Sequence, residues 1–502
     1  MKRIASLFLL ALTLNAGAQK QSAKAPSKPT PKRSPSAVAS GAGGYEIKVT
    51  LKPFKNQWVY LGHYYGKTLP IIDSVKLNER SEGTFKGAKA LGGGIYLVGY
   101  PDRARNFEIL IDKNQRFAIL ADTATLPAGI AFSGSPENET FHAYQNAMSA
   151  FGREADSLVR LRSAYPADSA ALSRRLEAIN GEVQAYRTRL MTGEPASLMA
   201  ALLKAMKDPE SPIKAPKTKD DSLYNYRFYK NHYFDGIAFY DERLSRTPFF
   251  ESKVDRYFEQ LVYPSADSVN REIDNIMAFA QINKEMEKFF LLKFVNRYLN
   301  MKYMWEDKVF IHLYEKYFRD KDYEWISDKG RKIIQDRAYS LYGSILGDPA
   351  SDIELPDSSG KKTRLYDVKA PLTLLVIWDP TCSHCKETLP KIDTMYTTKW
   401  RAQGVKIFAM AKETEGTRKD WTDFIVKKNL KGWTHVYYSK EAEKERVANN
   451  IPSYSQLFDV QSFPTIFLLD EEKRIKAKKI SEKQADEIID QLLKEKKNPA
   501  SK

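Results

Sequence analysis

Cys382 and Cys385 are the two cysteines of this 502-residue chain, and Ser383-His384 separates them. Two cysteines scattered at random over such a length would fall at that spacing in well under roughly 1% of cases, so the pairing needs a cause. The chemistry it offers is that of a dithiol. A thiolate is the reactive form of cysteine, so whatever favours the anion at Cys382 makes it a nucleophile near neutral pH. Leu372–Trp378 is an almost unbroken apolar run, as expected of a strand buried on both faces. The cysteines follow four residues later, and 387–400 reads as a helix. Cys382 then stands where a helix begins, and the unpaired N–H groups and the dipole there favour negative charge. Cys385, one turn further in and more shielded, is placed to attack a mixed disulfide at Cys382 and release the partner. His384 adds positive charge or a donor beside the Cys382 sulfur, which favours the thiolate and the reduced form.

Other uses of the pair are weaker. A structural disulfide across three residues closes too small a loop to stabilise much. Zinc needs further ligands, and His63, His142, His232, His312 and His435 do not pair with one another at ligand spacing. No metal and no cofactor is therefore expected. His232 with its polar neighbours, and Asp241, Glu242 and Arg243, read as structural polar clusters.

The elements that must hold the cysteines occupy the last third of the chain. After the first strand and helix come apolar strands over 405–410, 434–438 and 465–469, with helices over 421–430 and 482–494. Alternating strand and helix predicts an α/β domain around a central sheet. Two other regions precede it. Residues 45–51 alternate apolar and polar with period two, and 58–61, 95–98, 107–111 and 117–121 are further strand candidates, so 45–125 is expected to be a small antiparallel β domain. Over 126–342 the period changes: Ile273, Ile276, Met277 and Ala280 form a helical stripe continued by Phe290, Phe294 and Tyr298. This predicts an all-α middle domain with the aromatic stripes as core.

The chain opens with Met1-Lys2-Arg3, an apolar run over 4–14 and Ala16-Gly17-Ala18, the pattern of a cleavable secretory signal peptide over 1–18. No cysteine follows it to carry a lipoprotein anchor. Residues 19–44 are mostly Lys, Pro, Ser, Ala and Gly without acid or aromatic, a basic flexible linker, and 497–502 form a short tail. Of the net charge of +16, seven units lie in the first 44 residues. The rest is spread thinly, which argues against nucleic acid as a partner. No other stretch is long enough to span a membrane. The compartment expected is the periplasm.

The segment Trp378-Asp379-Pro380-Thr381-Cys382-Ser383-His384-Cys385-Lys386, with Pro390 in the next helix, resembles the active site of the thioredoxin-like superfamily, most closely its exported TlpA/ResA-type branch. Ser462-Phe463-Pro464-Thr465 is similar to the cis-proline loop of that family. The resemblance implies that Pro464 is the cis-proline and that Trp378, Thr381, Phe463 and Thr465 line the substrate groove. It covers about 345–495, and the domain is placed at 343–496. Ile72-Asp73-Ser74, Gly83–Gly87, Phe132–Asn138, Asn231–Asp235 and Arg246-Thr247-Pro248 resemble the β module and helical domain of unknown function that precede such modules in exported Bacteroidota proteins. Two departures stand out: Val376 occupies the place of a buried proton-relay acid, and Thr381 that of a tryptophan. A peroxidase would want Pro-x-x-x-Thr-x-x-Cys, whereas Pro380-Thr381-Cys382 has a different spacing.

The expected function is a periplasmic thiol–disulfide oxidoreductase. Its partners would be cysteine-containing exported proteins and a redox protein that recycles the dithiol, with Cys382 and Cys385 forming the reversible disulfide. The alternative is a non-catalytic envelope binding or scaffold protein that uses the thioredoxin-like domain as a fold.

Overall fold

A computed structural model describes residues 43–125 and 129–497. The expected leader, nearly all of the linker and the tail from residue 498 lie outside the described residues. The chain packs as two compact units. The first holds the described residues up to Val262 together with Asn275–Phe290, and the second holds Tyr263–Asp274 with the described residues from Leu291 onward.

In the first unit, eight strands form two sheets: β1 (Tyr45–Lys52), β2 (Trp58–His63), β3 (Ile71–Lys76), β4 (Glu82–Gly87), β5 (Gly94–Gly99), β6 (Asn106–Ile111), β7 (Arg116–Asp122) and β8 (Ile130–Ser133). The sheet orders are β4-β1-β7-β8 and β3-β2-β5-β6. The period-two pattern of β1 is realised in its burial: Tyr45, Ile47, Val49 and Leu51 turn inward onto a core shared with Leu61, Val98, Ile109 and Ile119. The domain is antiparallel as expected, with one exception. β1 lies parallel to β7, Ile47 beside Phe117, because the chain crosses between the sheets before returning to β1. Gly94, at φ +151°, passes against Arg246, where a Cβ would lie 2.4 Å from that residue's own Cβ.

Helices follow: α1 (Pro136–Ala164), α2 (Ser169–Gly193), α3 (Leu198–Met206), α4 (Lys219–Asn231), α5 (Phe250–Gln260), α6 (Ala266–Ala280), α7 (Lys284–Leu299), α8 (Glu306–Leu313) and α9 (Asp328–Tyr342). Ser135 caps α1, and the buried Asn138 amide completes both backbone groups of Leu110 on β6, at 2.7 and 2.8 Å. The residues of the aromatic stripe are buried, as are Ile273, Ile276, Met277 and Ala280. His232 is bonded to Asp235 at 2.7 Å, and Arg243 is held between Asp241 and Asp112.

The second unit contains the α/β domain. Its elements are β9 (Glu354–Pro356), β10 (Lys362–Arg364), β11 (Leu372–Trp378), α10 (Ser383–Met395), β12 (Lys406–Lys412), α11 (Arg418–Lys427), β13 (Thr434–Tyr438), α12 (Lys440–Ala448), α13 (Tyr454–Leu457), β14 (Thr465–Asp470), β15 (Ile475–Lys478) and α14 (Glu482–Lys497). The central sheet runs β13-β12-β11-β14-β15; β12 pairs parallel with both β11 and β13, while β14 lies antiparallel to β11 and β15 antiparallel to β14. β11 is buried on both faces, which is why it reads as an unbroken apolar run. Leu374, Val376 and Trp378 face the layer that contains α10, and Leu375 and Ile377 face the other layer.

Candidate active site

The fold places the cysteine pair at the carboxyl end of the central strand. α10 begins at Ser383, so Cys382 is its N-cap residue, with φ −65° and ψ 123°. The Cys382 N–H donates to the Asp379 carbonyl at 3.2 Å, and the Cys382 carbonyl receives the Lys386 N–H at 3.1 Å. The first turn of the helix is thus closed around the motif. Cys382 is half-buried and Cys385 is buried; both carry free thiols. The Cys382 thiol donates to the carbonyl oxygen of Phe463, 3.7 Å away. The Phe463–Pro464 peptide bond is cis.

The two sulfurs sit in different media. Cys385 is fully enclosed among Trp378, Leu389 and their neighbours. Burial pushes its thiol well above the ordinary range, against the pull of a backbone hydrogen bond at Asp379. His384 points into solvent. Pro390 lies inside α10, where it removes one N–H from the helix ladder.

The loop between β11 and α10 is tied down by a buried carboxylate. Asp379 is 5% exposed, and one of its oxygens accepts both the backbone N–H and the hydroxyl of Thr381, each at 2.6 Å. Its other oxygen accepts the Thr414 hydroxyl from the loop after β12. That loop comes so close that a Cβ on Gly416 would lie 2.5 Å from the Thr381 methyl. Thr414 and Gly416 are not among the residues expected at the site. They are about 30 residues from the cysteines, and no local pattern marks them.

Two residues expected in the groove are placed elsewhere. Trp378 is wholly buried, its ring 5.2 Å from that of Phe424, so it supports the motif from beneath and presents no surface to a partner. A layer covers each face of β11, so Trp378 is enclosed whichever way it points, and it points with Val376 into the layer that contains α10. Thr465 is buried too, and its hydroxyl turns back to the Ser462 carbonyl at 2.6 Å. Thr381 and Phe463 are half-buried beside Cys382. Among the described residues, no three His, Cys, Asp or Glu side chains gather as metal ligands.

Comparison with known proteins finds two family matches within the chain. Residues 346–478 match the AhpC/TSA family, and residues 182–339 match a domain of unknown function, DUF5106. No curated protein matches. Among solved structures, a domain of a possible thiol-disulfide isomerase from Cytophaga hutchinsonii is 30% identical, covering 30% of this chain and 96% of its own, with a TM-score of 0.26. A thioredoxin-like protein from Bacteroides caccae is 17% identical and covers 56% of this chain and 97% of its own, with a TM-score of 0.38. A thiol:disulfide interchange protein from a Bacteroides species is 23% identical over 32% of this chain and 94% of its own, with a TM-score of 0.26.

Proposed function

We propose that this chain, whose C-terminal domain is a thioredoxin-like member of the AhpC/TSA family, is a periplasmic thiol–disulfide oxidoreductase that works through Cys382 and Cys385. The observation that carries the reading is the asymmetry of the pair: one sulfur at a helix N-cap and reachable, the other buried one turn behind it.

As a reductase, the Cys382 thiolate attacks one sulfur of a partner's disulfide. A Cys382–partner bond forms, the partner's S–S bond breaks, and its second sulfur leaves as a thiol after taking a proton. Cys385 then gives up its proton and attacks the Cys382 sulfur, releasing the partner's remaining thiol. The partner gains two electrons and two protons, and the protein is left with a Cys382–Cys385 disulfide. The same steps in reverse oxidise a partner dithiol. Burial of Cys385 keeps it protonated until Cys382 is engaged, so the attacking and resolving roles do not interchange. The cysteine-containing substrates and the recycling partner are exported proteins on this reading, in keeping with the leader. Among the described residues, no helix is long and apolar enough to cross a membrane.

The test is a trap. Cys385→Ser, exposed to a periplasmic extract, accumulates a mixed disulfide at Cys382 that dithiothreitol releases, and Cys382→Ser does not. Wild type reduces insulin or oxidises a reduced peptide. The reading fails if neither exchange activity nor a trapped adduct is seen. Alkylation-shift analysis of the native protein then gives the direction, mostly dithiol for a reductase and mostly disulfide for an oxidase.

A further inference from the structure

The carbonyl that receives the Cys382 thiol lies at the end of a loop, and the other end of that loop is clamped. After α13, Phe458 is buried against Phe467 of the central sheet. Asp459 follows at φ +46°, 5% exposed. Its carboxylate is gripped by two cations. Arg337 of α9 donates to one oxygen at 2.6 Å, and Lys479, just past β15, binds the other. Gln461, two residues along the loop, adds a hydrogen bond to the first oxygen at 3.2 Å. Burial disfavours the charge on Asp459, but the two cations outweigh it and hold the carboxyl below its usual range. Phe463 and Pro464 come next. The clamp is reinforced where α9 ends: a Cβ on Gly343 would lie 2.4 Å from the Leu457 carbonyl, so the helix end meets the α13 backbone directly. Arg337 is itself fixed, with its guanidinium also on the Ser340 hydroxyl and the Met301 sulfur.

We infer that Arg337 is a positioning residue for the thiol chemistry, acting through Asp459 to hold the Phe463 carbonyl against Cys382. Arg337 falls within the matched domain of unknown function, whereas Asp459 and Cys382 fall within the thioredoxin-like one. The inference therefore gives one helix of that domain a task at the dithiol. It rests on the thiol–disulfide reading above for its biological meaning. Its physical content is narrower. Removing the clamp lets the loop slacken, withdraws the acceptor and opens the approach to Cys382. The same change leaves Cys385 enclosed by the core.

The test is iodoacetamide labelling of the reduced full chain, with the rate read separately at each cysteine by peptide mass. Arg337→Ala is expected to speed alkylation of Cys382 by roughly 3- to 30-fold, the range of couplings carried through packed networks. The rate at Cys385 should stay at the wild-type value, and Arg337→Lys, which keeps the charge, should lie nearer wild type. Should Arg337→Ala fail to fold, Asp459→Asn compared with Arg337→Lys carries the same test, since Asn keeps the shape and an acceptor. Unchanged or slower labelling of Cys382 overturns the inference. So does an equal acceleration at both cysteines, which would mean general loosening of the domain. Labelling needs no catalytic turnover, so absent insulin reduction would sink the oxidoreductase reading while leaving this comparison intact.

Discussion

At the scale of single residues, the functional contrast is between two sulfurs in one helical turn. The pattern Cys-x-x-Cys after an apolar strand was enough to expect it, because both the helix N-terminus and the three-residue spacing are local properties of the sequence. What could not be read locally was orientation. Trp378 and Thr465 flank the site in sequence yet are buried, since both lie on central strands that are covered on each face. The enclosure of Cys385 has a consequence for stability. Its folded thiol titrates above the unfolded one, so the stability tied to its protonated form is complete below about pH 8.5, the ordinary thiol value. It is lost as pH rises, because the unfolded chain releases the proton first. In excess reductant, wild type should therefore lose up to about 1.4 kcal/mol of stability per pH unit between roughly pH 8.5 and 10 relative to Cys385→Ala. Urea unfolding at a series of pH values measures this. Parallel pH profiles for the two proteins would mean that the Cys385 thiol is not held as described.

At the scale of elements, regular segments were legible where one face alternates or one stripe repeats. β1, β11 and the helical stripe near Ile273 fall where their periods place them. β15 and α12 were not marked out. β15 is four residues long with two lysines, and α12 buries none of its side chains, so neither leaves an apolar signature. The pairing of β1 with β7 is likewise a long-range choice that no local pattern encodes. The loop after β12 belongs to the same category, and its part in the site rests on the Thr414 hydroxyl and on the missing side chain of Gly416. With Thr381 tied through both its N–H and its hydroxyl to Asp379, it has little freedom to retreat from a new methyl at residue 416, whose Cβ would stand 2.5 Å away. Gly416→Ala is expected to cost about 1–3 kcal/mol through overpacking and to alter the alkylation rate at Cys382, because the strain falls on the loop that ends at that cysteine. A urea midpoint and a labelling rate that both match wild type would show that the loop after β12 yields without engaging Thr381.

At the scale of the whole chain, composition and period distinguished β, helical and α/β stretches in the right order, and residue 343 was the expected start of the last domain. The packing joins more to it. Within the second unit, Lys478 of β15 is buried with its ammonium on Asp307 of α8 and on the Ser344 carbonyl, both at 2.6 Å. The Lys478 N–H meets the Met304 sulfur at 3.1 Å, and Arg337 completes the clamp on Asp459. These partners are 122 to 174 residues apart in sequence, and a buried ion pair between two such distant charges has no sequence signature, which is why the boundary was placed by pattern alone. A fragment beginning at residue 343 would keep Lys478 and Asp459 but lose Asp307, Met304 and Arg337. Stripping one partner from a buried charge pair costs about 3–5 kcal/mol, against a total domain stability of about 5–15 kcal/mol. A fragment of residues 343–502 should therefore unfold at clearly lower urea than one of residues 291–502, with tryptophan fluorescence as the probe. Lys478→Met together with Asp459→Asn in the shorter fragment should recover part of the difference, since those changes remove the stranded charges. Equal midpoints for the two fragments would put the working boundary back at 343 and make α8 and α9 mere neighbours of the thioredoxin-like domain.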